Sequence, residues 1–150
     1  MRTKPSDLEM EAWQALLHAH HEIVGRLDAE LAAEHGLGMS DYDVLLRLRR
    51  AADRRLRMSD LAERVMISAS ALTRAVDRLE RQGLVRRQRD DADARVVHAE
   101  LTPEGRERLR GAARTHLRGI REHFTGRLTE DQLRCVASAL QVITGPHVPH

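Results

Sequence analysis

Aromatic residues are scarce in this 150-residue chain, which contains one tryptophan, one tyrosine and one phenylalanine. Because 41% of the residues are nonetheless hydrophobic, a core can form, and it must consist of leucine, valine, isoleucine and alanine. A core of this composition favours packed helices. The length supports one domain, so the composition predicts a mainly α fold.

Cysteine and long apolar runs are scarce as well. Cys135 is the only cysteine, which excludes an internal disulfide framework and suits a reducing compartment. It flanks the apolar stripe of the last predicted helix, and we interpret it as a small buried side chain, with a redox-sensing thiol as the alternative. The first residues lack an apolar stretch of signal-peptide length, and nowhere do 18 apolar residues run together. We therefore expect a cytoplasmic protein without a membrane partner.

Excess charge is also small, since 25 basic and 23 acidic residues leave a formal net charge of +2. The basic residues are nevertheless clustered, and one group of arginines consists of Arg47, Arg49, Arg50, Arg54, Arg55 and Arg57. A second group lies between residues 74 and 95. A clustered basic surface says more about nucleic-acid partners than the total charge does.

The most informative pattern is an amphipathic helix predicted over about 69–82. Leu72, Val76 and Leu79 recur at i, i+4 and i+7 and form its apolar face. The opposite face carries Ser70, Thr73, Arg74, Asp77, Arg78 and Arg81. Ser68 is placed to cap the N-terminus, and Gly83 is placed to end the helix in a left-handed conformation. The pattern predicts a helix with one buried face and one hydroxyl- and arginine-rich face.

A β-hairpin is predicted directly after this helix. Residues 84–88 and 96–101 favour strands, and the polar sequence RDDADAR joins them. Residues 54–58 are predicted to include a third short strand. Upstream, residues 58–65 are predicted to form a short helix capped by Ser59, and Met66 and Ile67 separate it from the amphipathic helix. Two such helices followed by a basic hairpin predict a winged helix-turn-helix that binds double-stranded DNA.

These motifs resemble the MarR family of winged helix-turn-helix regulators. The resemblance rests on SASALTRAVDRLERQGLVRR at 68–87, on Asp93-x-Arg95 at the hairpin tip and on LTPEGR at 101–106. It covers most of the chain and implies a two-fold homodimer, an imperfectly palindromic operator and, most commonly, repression. The hairpin tip departs from an ideal DNA-contacting loop because Asp90, Asp91 and Asp93 make it acidic.

The resemblance and the helix pattern together indicate the DNA-binding residues. The candidates for base contacts near the helix N-terminus are Ser68, Ser70, Ala71, Thr73 and Arg74. Arg74 is the strongest candidate for guanine recognition, because a guanidinium can donate two hydrogen bonds to that base. The candidates for phosphate and wing contacts are Arg78, Arg81, Arg86, Arg87 and Arg89. The resemblance implies that Arg95 enters the minor groove and that Asp93 orients its guanidinium.

Asp77 lies on the same face, where an unpaired carboxylate would repel phosphate. We expect Arg74, Arg78 or Arg81 to neutralise it within the helix.

Long amphipathic helices are predicted at both ends of the chain. Ser6 and Glu9 form a capping box before a helix that runs to Gly36, and Ser40 is predicted to cap the next helix. Thr102-Pro103 begins a helix near the other end, Thr129 and Gln132 form a second capping box, and Gly145-Pro146 ends the last helix. Residues 1–36 and 102–150 are predicted to supply dimerisation helices, and residues 37–101 the DNA-binding lobe.

A small-molecule site is implied by the resemblance alone, since MarR proteins commonly bind phenolic or other aromatic anions. The candidate residues for such an effector pocket are Trp13, His20, Tyr42 and His116.

A regulatory zinc site built from scattered histidines is an alternative role for residues such as His18, His21, His116 and His123. The chain contains neither HExxH nor CxxC, so we predict no metal and no cofactor. It also lacks a recognisable catalytic constellation, which argues against an enzyme. The remaining alternative is a winged-helix adaptor that binds proteins without specific DNA binding.

Overall fold

The computed structural model describes residues 4–145, and within them the chain is mostly helical with one small sheet, as predicted. Its main elements are α1 (Asp7–His35), α2 (Met39–Arg50), β1 (Arg55–Arg57), α3 (Met58–Val65), α4 (Ala69–Arg81), β2 (Val85–Arg89), β3 (Val97–Leu101), α5 (Pro103–His123) and α6 (Glu130–Thr144). The contacts divide the chain into two compact units. One unit is Leu27–His116, and the other combines the described residues up to Arg26 with those from Leu117 onward.

Three of the predicted helix starts are confirmed by their hydrogen bonds. The Ser68 hydroxyl accepts from the Ala71 N–H at 3.1 Å, which satisfies one free donor in the first turn of α4. Ser6 and Glu9 form the capping box of α1, and Thr129 and Gln132 form that of α6. Short hydroxyl or carboxylate side chains at these boundaries therefore define the helix starts.

Two predicted caps are wrong. Helix α2 begins one residue before Ser40, and the Asp28 carboxylate accepts the Met39 N–H at 2.7 Å while Asp41 accepts the Gly38 N–H at 3.4 Å. Ser40 therefore lies inside the first turn. Ser59 also lies inside its helix, because β1 continues directly into α3 and no side chain caps that helix.

Glycines end the helices as predicted. Gly36 and Gly83 have φ values of 64° and 72°, a region that residues with a Cβ rarely adopt. Gly145 follows α6 with a φ of 76°. Pro146, the other half of the predicted stop signal, lies outside the described residues.

The sheet is antiparallel with the strand order β1-β3-β2. Strand β3 pairs with both neighbours, and the register places Arg57 opposite His98 and Val85 opposite Leu101. One face is apolar because Val85, Ala99 and Leu101 are buried. The hairpin therefore packs by its base, and the turn at 90–96 extends beyond it.

The unit Leu27–His116 has a continuous leucine-rich core. Leu45 and Leu48 of α2, Leu61 of α3, and Val76 and Leu79 of α4 are fully buried in one cluster. The apolar face of α4 thus packs against α2 and α3, as its spacing predicts. Its opposite face remains available to solvent.

The start of α5 is fixed tightly to the base of the sheet. The Thr102 N–H donates to the Leu84 carbonyl at 3.1 Å, and the Thr102 hydroxyl accepts from the Gly105 N–H at 3.0 Å. A Cβ on Gly105 would lie 2.1 Å from the Leu84 carbonyl oxygen. Only glycine permits this approach, which sets where the hairpin base meets α5.

The second unit, which contains the first part of α1 and all of α6, is built differently. None of its large apolar side chains is buried within the described residues, and Trp13 is 54% exposed. An apolar groove of about 940 Å³ follows these helices, and its lining includes Trp13, His20, Phe124 and Leu140. Cys135 is exposed, so the prediction of a buried thiol is wrong. The reason is that α6 has no buried residue.

Candidate nucleic-acid interface

The exposed start of α4 presents the residues predicted to contact bases. The Ser68 and Ser70 hydroxyls lie 3.2 Å apart, and the Thr73 hydroxyl donates to the Ala69 carbonyl at 2.9 Å. Ser70, Thr73 and Arg74 are exposed. Within residues 4–145, Arg74 forms no ion pair. Its guanidinium is therefore available to an external acceptor.

Arg78 is arranged differently from Arg74. Its Nε and Nη2 atoms donate to the two carboxylate oxygens of Asp41, at 3.4 and 2.8 Å. The Asp41 side chain is only 6% exposed, so this bidentate ion pair joins the second half of α4 to the start of α2. The hydrogen bond to Asp41 raises the pKa of Arg78 above its ordinary value. The predicted role of Arg78 as a phosphate contact competes with this internal role.

Arg87 neutralises Asp77, which corrects the expectation that an arginine of the same helix would do so. Arg87 Nη2 lies 2.7 Å from Asp77 Oδ1, and Nη1 lies 2.7 Å from Glu80 Oε2. Nη2 also donates to the Thr73 carbonyl at 3.3 Å. Arg81 donates to the backbone carbonyl of Asp77 and not to its carboxylate. Strand β2 of the wing (the hairpin β2–β3) therefore supplies a positive charge to two acids of α4, the recognition helix of the winged helix-turn-helix.

The other arginines of β2 have different surroundings. Arg86 makes a bidentate contact with Glu100 across the sheet, with its shorter bond at 2.9 Å. Arg89, at the hairpin end of β2, is exposed and forms no ion pair within the described part of the chain. Arg89 therefore resembles Arg74 in being open to an external anion.

The acidic residues at the wing tip organise the turn. Asp90 accepts the backbone N–H groups of Ala92 and Asp93 at 2.9 and 3.2 Å, and these hydrogen bonds hold its pKa below the usual value. Asp93 in turn accepts from the Arg95 Nε at 3.2 Å and from the Arg95 backbone N–H at 3.0 Å. The Arg95 hydrogen bonds lower the pKa of Asp93. Asp90 and Asp93 are thus structural acids, which explains the acidity of the tip.

Arg95 itself extends into solvent, with 92% of its side chain exposed. The wing tip, the recognition helix and the start of α3 border a groove of about 480 Å³. Its lining residues are Arg57, Met58, Ser59, Thr73, Arg87, Arg95, Val96 and Val97. The structure thus brings Thr73, Arg87 and Arg95 together on one surface, as the prediction requires.

The sequence prediction did not include Arg57 or His98 among the DNA-binding residues. Arg57, on β1, borders the groove. His98 is buried near the turn end of β3, with its Nδ1 3.8 Å from Asp90 Oδ2. The alternation of the predicted third strand could have indicated Arg57, whereas no local pattern marks His98.

The predicted effector residues fall into two pairs. Trp13 and His20 line the apolar groove of the unit that contains α6. Tyr42 and His116 belong to the other unit, with ring centroids 4.7 Å apart. Burial lowers the pKa of His116 and raises that of Tyr42, so both rings are neutral near pH 7.

Comparison with known proteins matches residues 37–97 to the model of the MarR family. Two solved MarR family transcriptional regulators from Streptomyces coelicolor have the same fold along nearly the whole chain. AbsC is 34% identical, has a TM-score of 0.85, and the match covers 95% of this chain and 96% of AbsC. Sco3205, solved in complex with DNA, is 32% identical with a TM-score of 0.89, and the match covers 96% of this chain and 90% of Sco3205.

Among curated relatives, the transcriptional repressor YetL of Bacillus subtilis is 36% identical over 77 residues, which are 51% of this chain and 46% of YetL. The transcriptional regulator YdgJ from the same organism is 31% identical over 97 residues, which are 65% of this chain and 58% of YdgJ. The chain thus spans about half the length of these two proteins.

The winged helix-turn-helix and these similarities define the class: the chain belongs to the MarR family. The relatives found are transcriptional regulators. No helix within residues 4–145 has the length and apolar character required to cross a membrane.

Proposed function

We propose that this protein is a sequence-specific, double-stranded DNA-binding transcriptional repressor that acts in the cytoplasm as a homodimer. One observation carries the proposal: the exposed start of α4, with Arg74 open, shares a surface with a wing whose Arg95 is held by Asp93. An α-helix fits the major groove, and a narrow minor groove attracts an arginine. The DNA complex of Sco3205 and the repressor name of YetL support the same function.

The proposed contacts divide by chemistry. Ser68, Ser70, Ala71, Thr73 and Arg74 face base edges, while Arg81 and Arg89 meet phosphates. Arg95 enters the minor groove. The sequence predicted a phosphate contact for Arg78 and DNA contacts from the wing for Arg86 and Arg87, but each of these arginines donates to a carboxylate within the protein. We therefore propose that these three arginines contribute less to DNA binding through direct contacts than Arg74, Arg81, Arg89 and Arg95 do.

The homodimer is proposed because the helices outside the DNA-binding lobe leave apolar side chains exposed. Trp13 and Leu140 border one open apolar groove, and residues 1–36 and 102–150 remain our proposed dimerisation segments. Two-fold symmetry would present two recognition helices about one turn of DNA apart, so the operator should be an imperfect palindrome.

Selection from a randomised duplex pool at about 0.15 M salt tests the function, with wild type compared to Arg74→Ala and Arg114→Ala. Arg114 is an exposed arginine of α5 outside the proposed surface, and it serves as the matched control. We expect wild type and Arg114→Ala to enrich the same palindrome and Arg74→Ala to select it weakly. Binding without enrichment would contradict sequence-specific regulation. No DNA binding would favour the winged-helix adaptor.

The proposed effector is a small aromatic or anionic molecule that weakens DNA binding. Tyr42 and His116 offer two rings in contact, and Trp13 and His20 border an apolar groove, so both pairs suit an aromatic ligand. Such a ligand must bind the DNA-free conformation more tightly, since equal affinity for both states would shift nothing. Salicylate provides a simple probe: it should release the selected duplex from wild type and release less from Tyr42→Ala. We propose no catalytic activity, because the related proteins are regulators.

A further inference from the structure

One arginine of the wing is turned toward the recognition helix and not toward solvent. Arg87 contacts Asp77, Glu80 and the Thr73 carbonyl, all on α4, and only 28% of its side chain is exposed. We propose that Arg87 is a positioning residue: with Asp77 and Glu80 it forms a clamp that fixes the wing against the recognition helix and offsets one of two negative charges beside the DNA surface. The proposal rests on the DNA-binding function proposed above.

The geometry of the clamp favours an arginine. Asp77 and Glu80 are three residues apart and therefore lie on neighbouring positions of one helix face. A planar guanidinium carries five N–H donors in a fixed fork, so Nη1 and Nη2 of Arg87 can serve different carboxylates at the same time. The compact ammonium of a lysine cannot reproduce this spacing. A phosphate contact by Arg87 would have to displace at least one of the two carboxylates.

The charges of Arg87, Asp77 and Glu80 determine how the clamp affects DNA binding. One arginine and two acids give the clamp a formal charge of −1, whereas removal of the arginine leaves −2 at Asp77 and Glu80, on the helix proposed to enter the groove. The arginine therefore matters for DNA binding even if it never touches a phosphate. Without it, Asp77 and Glu80 would repel the DNA backbone.

Arg89 provides a matched comparison on the same strand. Residues two apart on a strand point to the same face, so Arg87 and Arg89 share a face of β2. Arg89 is exposed and has no ion pair within residues 4–145. Arg87→Met and Arg89→Met each remove one positive charge from the same strand. Only the first removes the clamp.

The first test needs no DNA. Amide hydrogen exchange is measured across residues 85–97 in wild type, Arg87→Met and Arg89→Met, each as the full chain. We expect Arg87→Met to accelerate exchange in β2 and the wing turn by about tenfold, because local opening depends on the contacts that hold the segment. Arg89→Met should leave it unchanged. Unaltered exchange in Arg87→Met would overturn the clamp, whatever the DNA result.

The second test separates neutralisation from direct contact and from a purely structural role. The binding affinity for the selected duplex is measured for wild type, Arg87→Met, Asp77→Asn/Glu80→Gln and the triple variant that combines these changes. We expect Arg87→Met to bind at least about tenfold more weakly and the triple variant to recover most of that loss. The acid substitutions alone should strengthen binding, because they change the formal charge of the clamp from −1 to +1.

A phosphate contact gives a different pattern. Arg87→Met would then weaken binding as much in the Asp77→Asn/Glu80→Gln background as in the wild-type background, and the triple variant would not recover. The salt dependence adds a second criterion: each lost phosphate contact lowers the slope of log affinity against log salt by about 0.9. We expect that reduction for Arg89→Met and not for Arg87→Met. Loss of slope in Arg87→Met, or no recovery in the triple variant, overturns the proposed neutralising role. If wild type selects no sequence, the DNA-binding function fails, while the exchange test still decides on the clamp.

Discussion

The two compact units of this chain differ in how far they bury their apolar side chains. Leu27–His116 buries leucines and valines from α2, α3, α4 and the sheet in one cluster, with Leu45 and Val76 fully inaccessible. The unit containing the start of α1 and all of α6 buries no large apolar side chain within the described residues, and Ile143 is 75% exposed. The first unit has a core of its own, whereas the second leaves apolar surface that the proposed dimer would cover.

This difference shows how the chain separates two tasks. A recognition helix must keep its hydroxyls and arginines in register with base edges, so a rigid core behind α4 is an advantage. Helices that form a dimer contact must instead leave apolar surface for the second copy. Stability in one unit and incompleteness in the other are therefore both expected for a DNA-binding homodimer.

Removal of a core side chain should produce the largest effect. Leu45→Ala deletes a fully buried side chain of α2 and leaves a cavity beneath the recognition helix, so we expect a loss of about 2–5 kcal/mol in the free energy of unfolding. Urea unfolding measures it, and Arg49→Ala, at an exposed site on the same helix, should stay within about 0.5 kcal/mol. A loss that grows with protein concentration would contradict a self-sufficient core.

A charge placed in the apolar groove should weaken the dimer. Leu140 lines the groove on α6, and Leu140→Asp would bury an unpaired carboxylate in each subunit of the proposed dimer. We expect a cost of about 2–3 kcal/mol, which is roughly a 30- to 150-fold weaker dimer. Sedimentation equilibrium checks the result, with Ser138→Asp on the exposed surface of the same helix as the control. Equal dissociation constants for the two variants would remove the groove from the dimer interface.

The elements that local sequence predicts well are those whose signals lie within a few residues. The face of α4 follows from the spacing of Leu72, Val76 and Leu79, all of which are buried. Ser68 caps that helix by accepting the Ala71 N–H. Ser40 fails because Asp41 and an aspartate from α1 already satisfy the first N–H groups. Ser59 fails for another reason, since β1 continues directly into α3.

The pairing of the arginines could not be predicted by the same rules. Asp77 and Arg87 are ten residues apart and lie on a helix and a strand, so the i+3 and i+4 rules within helices do not include their contact. One signal was present: Arg87 alternates with Val85, which is buried, so both lie on the inner face of β2. Neither the resemblance nor the helix pattern distinguishes the arginines of this segment from one another. Burial and pairing divide them into open cations such as Arg74 and internal links such as Arg78.

Relief of backbone strain in the helix-turn-helix should further stabilise the unit that has the buried core. Met66 ends α3 with a φ of 58° and is 85% exposed, so it has a left-handed backbone and little packing to lose. Met66→Gly should stabilise the protein by somewhat less than about 1 kcal/mol, because the greater freedom of glycine in the unfolded chain offsets part of the relief. Thermal unfolding tests this, and Met66→Ala should give no comparable gain because it keeps a Cβ. Equal gains would mean that the side chain matters and not the backbone.

The smallest expected effect is a pH dependence of stability that arises from His116, whose ring contacts that of Tyr42. Burial lowers the pKa of His116 below its ordinary value of 6.5, and the nearby Asp43 offsets this only in part. Below about pH 6.5 the unfolded chain therefore binds a proton that the folded chain does not, and stability falls until the folded-state pKa is reached. His116→Phe keeps an aromatic ring and cannot be protonated. When the pH is lowered from 7.5 to about 5.5, the variant should therefore lose less stability than wild type. We expect less than about 1 kcal/mol, because the ring is only half-buried and water screens the charge.

Urea unfolding at both pH values measures the difference. An unchanged difference between the two proteins would show that His116 titrates alike in the folded and unfolded states, and a wild type favoured at low pH would show that attraction by Asp43 outweighs burial.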